Sequence, residues 1–204
     1  MIYNNRMEKK ANKDYQTHVM TERTHLSQVR RAFSKSLDEN HIDPGLINFY
    51  VMSCNYLVFS LTRLVTQDYI LYDLLLPHVE PSNEEYTEKL NSLNTGLKAM
   101  EEALKKLSQA KQELIKSGLY EVDDFKKEAH DFLDVFLNML ASNRHSTFDL
   151  EEKVFEPSDW EKIAGVTKES IATEDKLYKN VILAAPQGCD PRSFPPIGHH
   201  QKPQ

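Results

Sequence analysis

The stretch SNEEYTEKLNSLNTGLKAMEEALKKLSQAKQELIKSG, from Ser82 to Gly118, decides the fold class. Tyr86, Leu90, Leu93, Leu97, Met100, Leu104, Leu107 and Leu114 recur at alternating steps of four and three, broken only at Lys111. That repeat is a heptad seam, a narrow apolar stripe by which a helix packs against one or two neighbours. Ser82 and Glu85 have the spacing of a capping box, in which hydroxyl and carboxylate satisfy free N–H groups of the first turn. Gly118 suits the C-terminal cap. Such a stripe places this helix on the outside of a bundle or in an oligomer contact.

The flanking sequence extends the helical pattern. Downstream, a helix from Val122 to about Phe155 carries Phe125, Ala129, Phe132, Phe136 and Met139, with Leu133, Leu137 and Leu140 beside them, a broader face that belongs nearer a core. Ser158 and Glu161 predict another capping box before a short helix containing Trp160 and Ile163, stopped by Gly165. Thr167 predicts the cap of a last helix through Ile171, Leu177 and Val181. Upstream, Asp43 as N-cap and Pro44 at the first helical position open a helix that ends by Pro77. Before it, a helix from Tyr15 to Glu39 shows Val29, Phe33 and Leu37 on one face. No strand pattern competes. The expected fold is all-α: an up-down bundle of four main helices plus one or two C-terminal helices over residues 15–185. Residues 1–14 are expected to be a flexible N-terminus. Residues 186–204, with five Pro, are expected to be a disordered tail or a segment laid along a surface.

Composition narrows the function classes. The chain has 204 residues and two cysteines, Cys54 and Cys189, too few for a disulfide framework. Free thiols and the lack of an apolar run in Met1 to Lys13 point to a cytoplasmic protein. A net charge of -6 argues against nucleic-acid binding, which needs a basic surface. The apolar stretch Leu46 to Leu76 is interrupted by Arg63, Asp68 and Asp73, so it reads as a helix buried in protein and not as a membrane span. Gly-rich phosphate loops and a G-x-S-x-G elbow are absent.

Helical bundles hold metals when His and carboxylates at i, i+3 and i+4 turn inward from several helices. Two stretches have suitable residues. His18, Glu22 and His25 share a face of the first helix, with Glu22 and His25 in Glu-x-x-His spacing. His130 with Asp134, and His145 with Asp149, are i,i+4 pairs pointing roughly the same way. Iron, manganese or zinc accepts such an imidazole and carboxylate set. The plainer account is a set of solvent-facing polar strips with weak i,i+4 pairs. Arg63, Gln67, Asp68 and Asp73 either form an internal ion pair that sets helix register or, through Gln67 and Asp68, reach the cavity of His25 and His130. Tyr50, Tyr56, Tyr69 and Tyr72 either donate hydrogen bonds there or fill the core.

On these residues the chain resembles hemerythrin-like proteins. Lys127-Glu128-Ala129-His130-Asp131-Phe132-Leu133 is similar to the family's isolated-His helix. The segment from His145 through Asp149, Glu151 and Glu152 to Phe155 and Pro157 is similar to its His-x-x-x-Glu-Glu segment ending in an aromatic and Pro. By the same resemblance His25 matches the first helix's His, and Asp68 to Pro77 takes the place of the first-half pair. The resemblance implies a bundle around non-haem iron. Gln67 and Leu71 stand where the first-half His and Glu would be, which fits one metal, or none, better than two. The expected ligands are Glu22, His25, His130, Asp134, His145 and Asp149, serving oxygen, redox or metal sensing. A reading of another class is a metal-free interaction module whose 86–114 helix binds a second copy or a partner helix. Oxidative catalysis at the same metal is a third, with no substrate indicated.

Overall fold

The computed structural model describes residues 21–39, 44–142 and 147–195. Seven α-helices account for most of them: α1 (21–37), α2 (Pro44–Leu75), α3 (Glu84–Ser117), α4 (Val122–Ser142), α5 (Phe148–Val154), α6 (Pro157–Ala164) and α7 (Lys168–Ala184). Short 3-10 turns occupy Leu76–His78, Gly118–Glu121 and Pro191–Ser193, and no strand occurs among the described residues. The all-α expectation therefore holds. The chain divides into two compact units, one of Met1–Leu57 with Val166–Gln204 and one of Val58–Gly165, so that a boundary falls inside α2.

In the second unit the heptad seam of α3 is consumed within the chain. Leu90, Leu93, Leu97, Met100, Leu104, Leu107 and Leu114 are all buried, and α4, returning after the turn at Gly118, presents Val122, Phe125, Ala129, Phe132, Leu133 and Phe136. Fully burying a Leu or Phe side chain stabilises by about 1.5–3 kcal/mol, so this hairpin supplies much of the unit's core. At the other end Leu75, Leu90 and Leu150 form a cluster covered by Leu71, Tyr72, Tyr86, Val154 and Phe155.

Several helix ends differ from the expected ones. α3 is capped by Asn83, whose side chain accepts from the Tyr86 N–H at 3.2 Å, one residue beyond Ser82. Asn caps as well as Ser, and this start puts Glu84 and Glu85 in the first turn, where the helix dipole favours them. The long helix from Val122 to Phe155 is two helices, α4 and α5, with residues 143–146 outside the described set. The capping box of α6 uses Glu156 and Asp159, because Pro157 fits the first helical position and shifts the cap before it. Thr167 caps α7, exchanging hydrogen bonds with Ser170 at 3.0 Å.

The first unit contains α1, residues 44–57 of α2, α7 and the segment that follows it. α1 buries Leu26, Val29, Ala32, Phe33 and Leu37, and Phe33 meets Tyr50 of α2 edge to face at 6.0 Å. The Tyr50 hydroxyl donates to the Ser36 carbonyl at 2.8 Å, which satisfies a polar group inside the core. Pro44 opens α2 as expected, whereas Asp43 lies outside the described residues. Of the 186–204 tail, residues 186–195 take the second of the two expected forms, a segment laid along a surface, and residues 196–204 lie outside the described residues. Residues 186–195 are laid against α1: Cys189 and Pro191 are buried, Lys35 Nζ donates to the Gly188 carbonyl at 2.8 Å, and Gln28 Nε2 donates to the Phe194 carbonyl at 2.9 Å. Among the described residues one segment, Gly45–His78, is long and apolar enough to cross a membrane, and half of its most apolar window is buried inside the protein.

Candidate metal centre

The most concentrated chemistry lies in the first unit, around Glu174. The α7 positions 174, 178 and 181 fall on one face, and Glu174, Tyr178 and Val181 are its buried residues. A carboxylate in that stripe needs partners, since an isolated buried charge is strongly disfavoured. Glu174 is 1% exposed, and its Oε1 accepts from the Tyr56 hydroxyl at 2.7 Å and lies 3.0 Å from His25 Nδ1. Where Glu174 is a carboxylate its Oε1 only accepts, and Nδ1 is then the donor of the pair.

A second layer orients the imidazole. The His25 ring stacks on Tyr178, with centroids 3.6 Å apart and planes 10° from parallel. The Tyr178 hydroxyl donates to Gln28 Oε1 at 2.6 Å, and the same amide donates onward to the Phe194 carbonyl. Burial raises the Tyr178 phenol to about 12, and the carboxylate of Asp190 adds to that rise. The phenol therefore stays a neutral donor. Asp190 is itself held below the usual carboxylate range by Arg192, which forks onto it at 2.6 Å.

Asp175 completes the group. A ligand atom from each of His25, Glu174 and Asp175 can be chosen so that all lie within 4.8 Å of one another. Two ligands at right angles, each about 2.1 Å from one ion, stand about 3.0 Å apart, the separation already present between Nδ1 and Oε1. Asp175 is exposed, at the solvent side of the group. One nitrogen and two carboxylates suit a borderline or hard divalent ion. The donor set fits a divalent metal, which His25, Glu174 and Asp175 would hold and which would take the place of any proton on Nδ1.

The ligands expected from sequence distribute unevenly. His25 lies in this cluster, and Glu22, three residues earlier on α1, is buried. His130 and Asp134 belong to the other unit, where both are exposed on α4. Asp149 is exposed on α5, where its Oδ2 accepts from the Tyr86 hydroxyl at 2.6 Å and Lys89 lies 3.7 Å away. That hydrogen bond holds its carboxyl below the usual range. His145 and His18 fall outside the described residues. Gln67 donates to the Ala164 carbonyl at 2.6 Å and so serves the end of α6.

Glu174, Asp175 and Tyr178 were not anticipated. Their signal is Ile171, Glu174, Tyr178 and Val181 at steps of three, four and three, an apolar stripe with an acid inside it. The second unit also has a cleft of about 290 Å3 between α2 and α3, lined by Val58, Thr62, Val65 and Thr66 on one side and Glu101, Leu104, Lys105 and Ser108 on the other. It contains no His or Cys. No family model, curated protein or solved structure matches the chain.

Proposed function

We propose that this chain is a metal-binding helical protein that holds one divalent ion between α1 and α7, with His25, Glu174 and Asp175 as protein ligands. The observation that carries this reading is the buried Glu174 carboxylate fixed by the Tyr56 hydroxyl at 2.7 Å and set 3.0 Å from an imidazole nitrogen. Second-sphere hydrogen bonds of this kind orient ligating carboxylates and imidazoles. The resemblance to hemerythrin-like proteins favours non-haem iron and a role in oxygen, redox or metal sensing. Three protein ligands would leave coordination positions for an exogenous molecule, as sensing requires. The interaction-module reading gains no support from α3, whose seam residues are buried within the chain.

Metal quantification on freshly purified full-length protein tests the proposal. The parent and the variants should carry His199→Ala and His200→Ala, so that tail imidazoles do not contribute. The expected result is about one equivalent of iron, manganese or zinc in the parent and less than a tenth of that in Glu174→Gln and His25→Ala. Absence of stoichiometric metal from the parent, or equal metal in Glu174→Gln, overturns it.

A further inference from the structure

We infer that residues 186–195 form a strap whose docking on α1 is coupled to occupancy of the His25–Glu174–Asp175 site. This inference rests on the metal-binding reading above and deepens it by assigning the site a regulated element. The coupling runs through direct contacts. His25 lies face to face with Tyr178, so the imidazole cannot tilt toward or away from an ion without moving the phenol ring. The phenol hydroxyl is fixed by Gln28 Oε1, and Gln28 Nε2 grips the strap at the Phe194 carbonyl. The buried side chain of Gln28 thus joins the site to the strap by hydrogen bonds, beside the direct approach of Pro191–Ser193 to α7.

The strap has the features of a separable element. It is anchored by main-chain carbonyls at two points, Gly188 to Lys35 and Phe194 to Gln28, and by the small buried side chains of Cys189 and Pro191. Its own turns are closed locally, with the Cys189 N–H donating to the Pro186 carbonyl, Ser193 to Asp190 and Phe194 to Pro191. Asp190 and Arg192 pair within the strap. Self-contained hydrogen bonding and anchoring largely through main-chain carbonyls mark a segment able to open as a unit. An ion that fixes the imidazole fixes the phenol and Gln28, and the docked strap is favoured. By linkage, releasing the strap weakens the ion by the same factor.

Hydrogen exchange on the full chain, in the His199→Ala, His200→Ala background, reads this directly. Zn2+ is the probe, and its binding is measured separately by calorimetry. In the parent, saturating Zn2+ should slow exchange of the Cys189, Ser193 and Phe194 amides about tenfold, within the usual span of coupling. In Gln28→Leu the slowing should fall below twofold, and Zn2+ should bind about tenfold more weakly. Tyr178→Phe serves if Gln28→Leu does not fold. It keeps the ring stack but severs the hydroxyl link, so the effect of Zn2+ on the strap should fall below twofold and Zn2+ should bind about tenfold more weakly, as linkage requires. Zn2+ binding with unchanged strap exchange in the parent overturns the coupling alone. An undiminished effect in both variants does the same. Failure of the parent to bind Zn2+ overturns the metal reading and the coupling with it.

Discussion

Replacing Glu174 separates its structural role from its role as a ligand. Glu174→Ala removes the acceptor of the Tyr56 hydroxyl, which sits on a residue with no solvent exposure. An orphaned buried donor costs about 1–3 kcal/mol. His25 is 17% exposed at its side chain and recovers part of its loss from water, for about 0.5–1 kcal/mol. Relief from burying a carboxylate offsets some of this, and lost packing adds to it. The net expectation is about 2–4 kcal/mol, or a urea midpoint lower by about 1–2 M at ordinary denaturant slopes. Glu174→Gln keeps an acceptor oxygen of the same shape and should cost about 1 kcal/mol or less.

A double-mutant cycle isolates the hydrogen bond. Tyr56→Phe alone should cost about 1 kcal/mol, because the carboxylate loses one donor. In Tyr56→Phe/Glu174→Ala no hydroxyl is left to orphan, so the double variant should be about 1–2 kcal/mol more stable than the sum of the singles requires. Urea titrations followed by helical circular dichroism at fixed pH supply the four values. Additivity within about 0.5 kcal/mol, or a Glu174→Ala midpoint equal to that of the parent, would refute the view that Glu174 is the hub of this network.

Two further outcomes follow from the packing and the titrating groups. Leu97 has no solvent exposure in the α3 seam, so Leu97→Asp should destabilise the protein by about 4 kcal/mol or more, by cavity and buried charge together; an unchanged melting temperature would show that α4 does not cover that position. Tyr178 titrates near 12 in the folded chain against 10 for a free phenol, so the folded state holds the extra proton. The resulting stability is complete below pH 10 and is lost as pH rises toward 12, by up to about 3 kcal/mol. Urea midpoints at pH 9 and 11.5 should differ less in Tyr178→Phe than in the parent, and equal differences would refute the assignment.

The all-α class was legible in sequence because α3 and α4 carry their cores at strict helical spacing, and burial of Leu90 to Leu114 and of Phe125 to Phe136 follows that spacing. Helix ends were less legible. Ser82 and Asn83 both cap well, and only the backbone geometry chooses between them. The candidate site was half legible. Glu-x-x-His spacing picked out Glu22 and His25, but the partner of His25 is 149 residues away, on a helix whose short stripe is diluted by Glu174. His130 and Asp134 show the converse: the residue types and spacing suit a metal, yet the broad apolar face of α4 points the other way and leaves them exposed.

α1 explains why one helix supports both the core and the chemistry. Its apolar stripe, Leu26, Val29, Phe33 and Leu37, runs beside a polar stripe, Glu22, His25 and Gln28, and together they make a buried face wider than a bundle helix requires. The apolar stripe uses α2, through Phe33 and Tyr50. Within the polar stripe, His25 and Gln28 use α7 and the strap, through Glu174, Tyr178 and the Phe194 carbonyl. Apolar residues of similar volume would have packed those positions at no loss of stability, since buried ionic groups seldom stabilise relative to such replacements. Stability alone therefore does not account for an imidazole, a carboxylate and an amide in series at that contact. The proposed ion site would account for them, since an imidazole and a carboxylate 3.0 Å apart suit ligation of one ion and the amide would then couple that site to the strap.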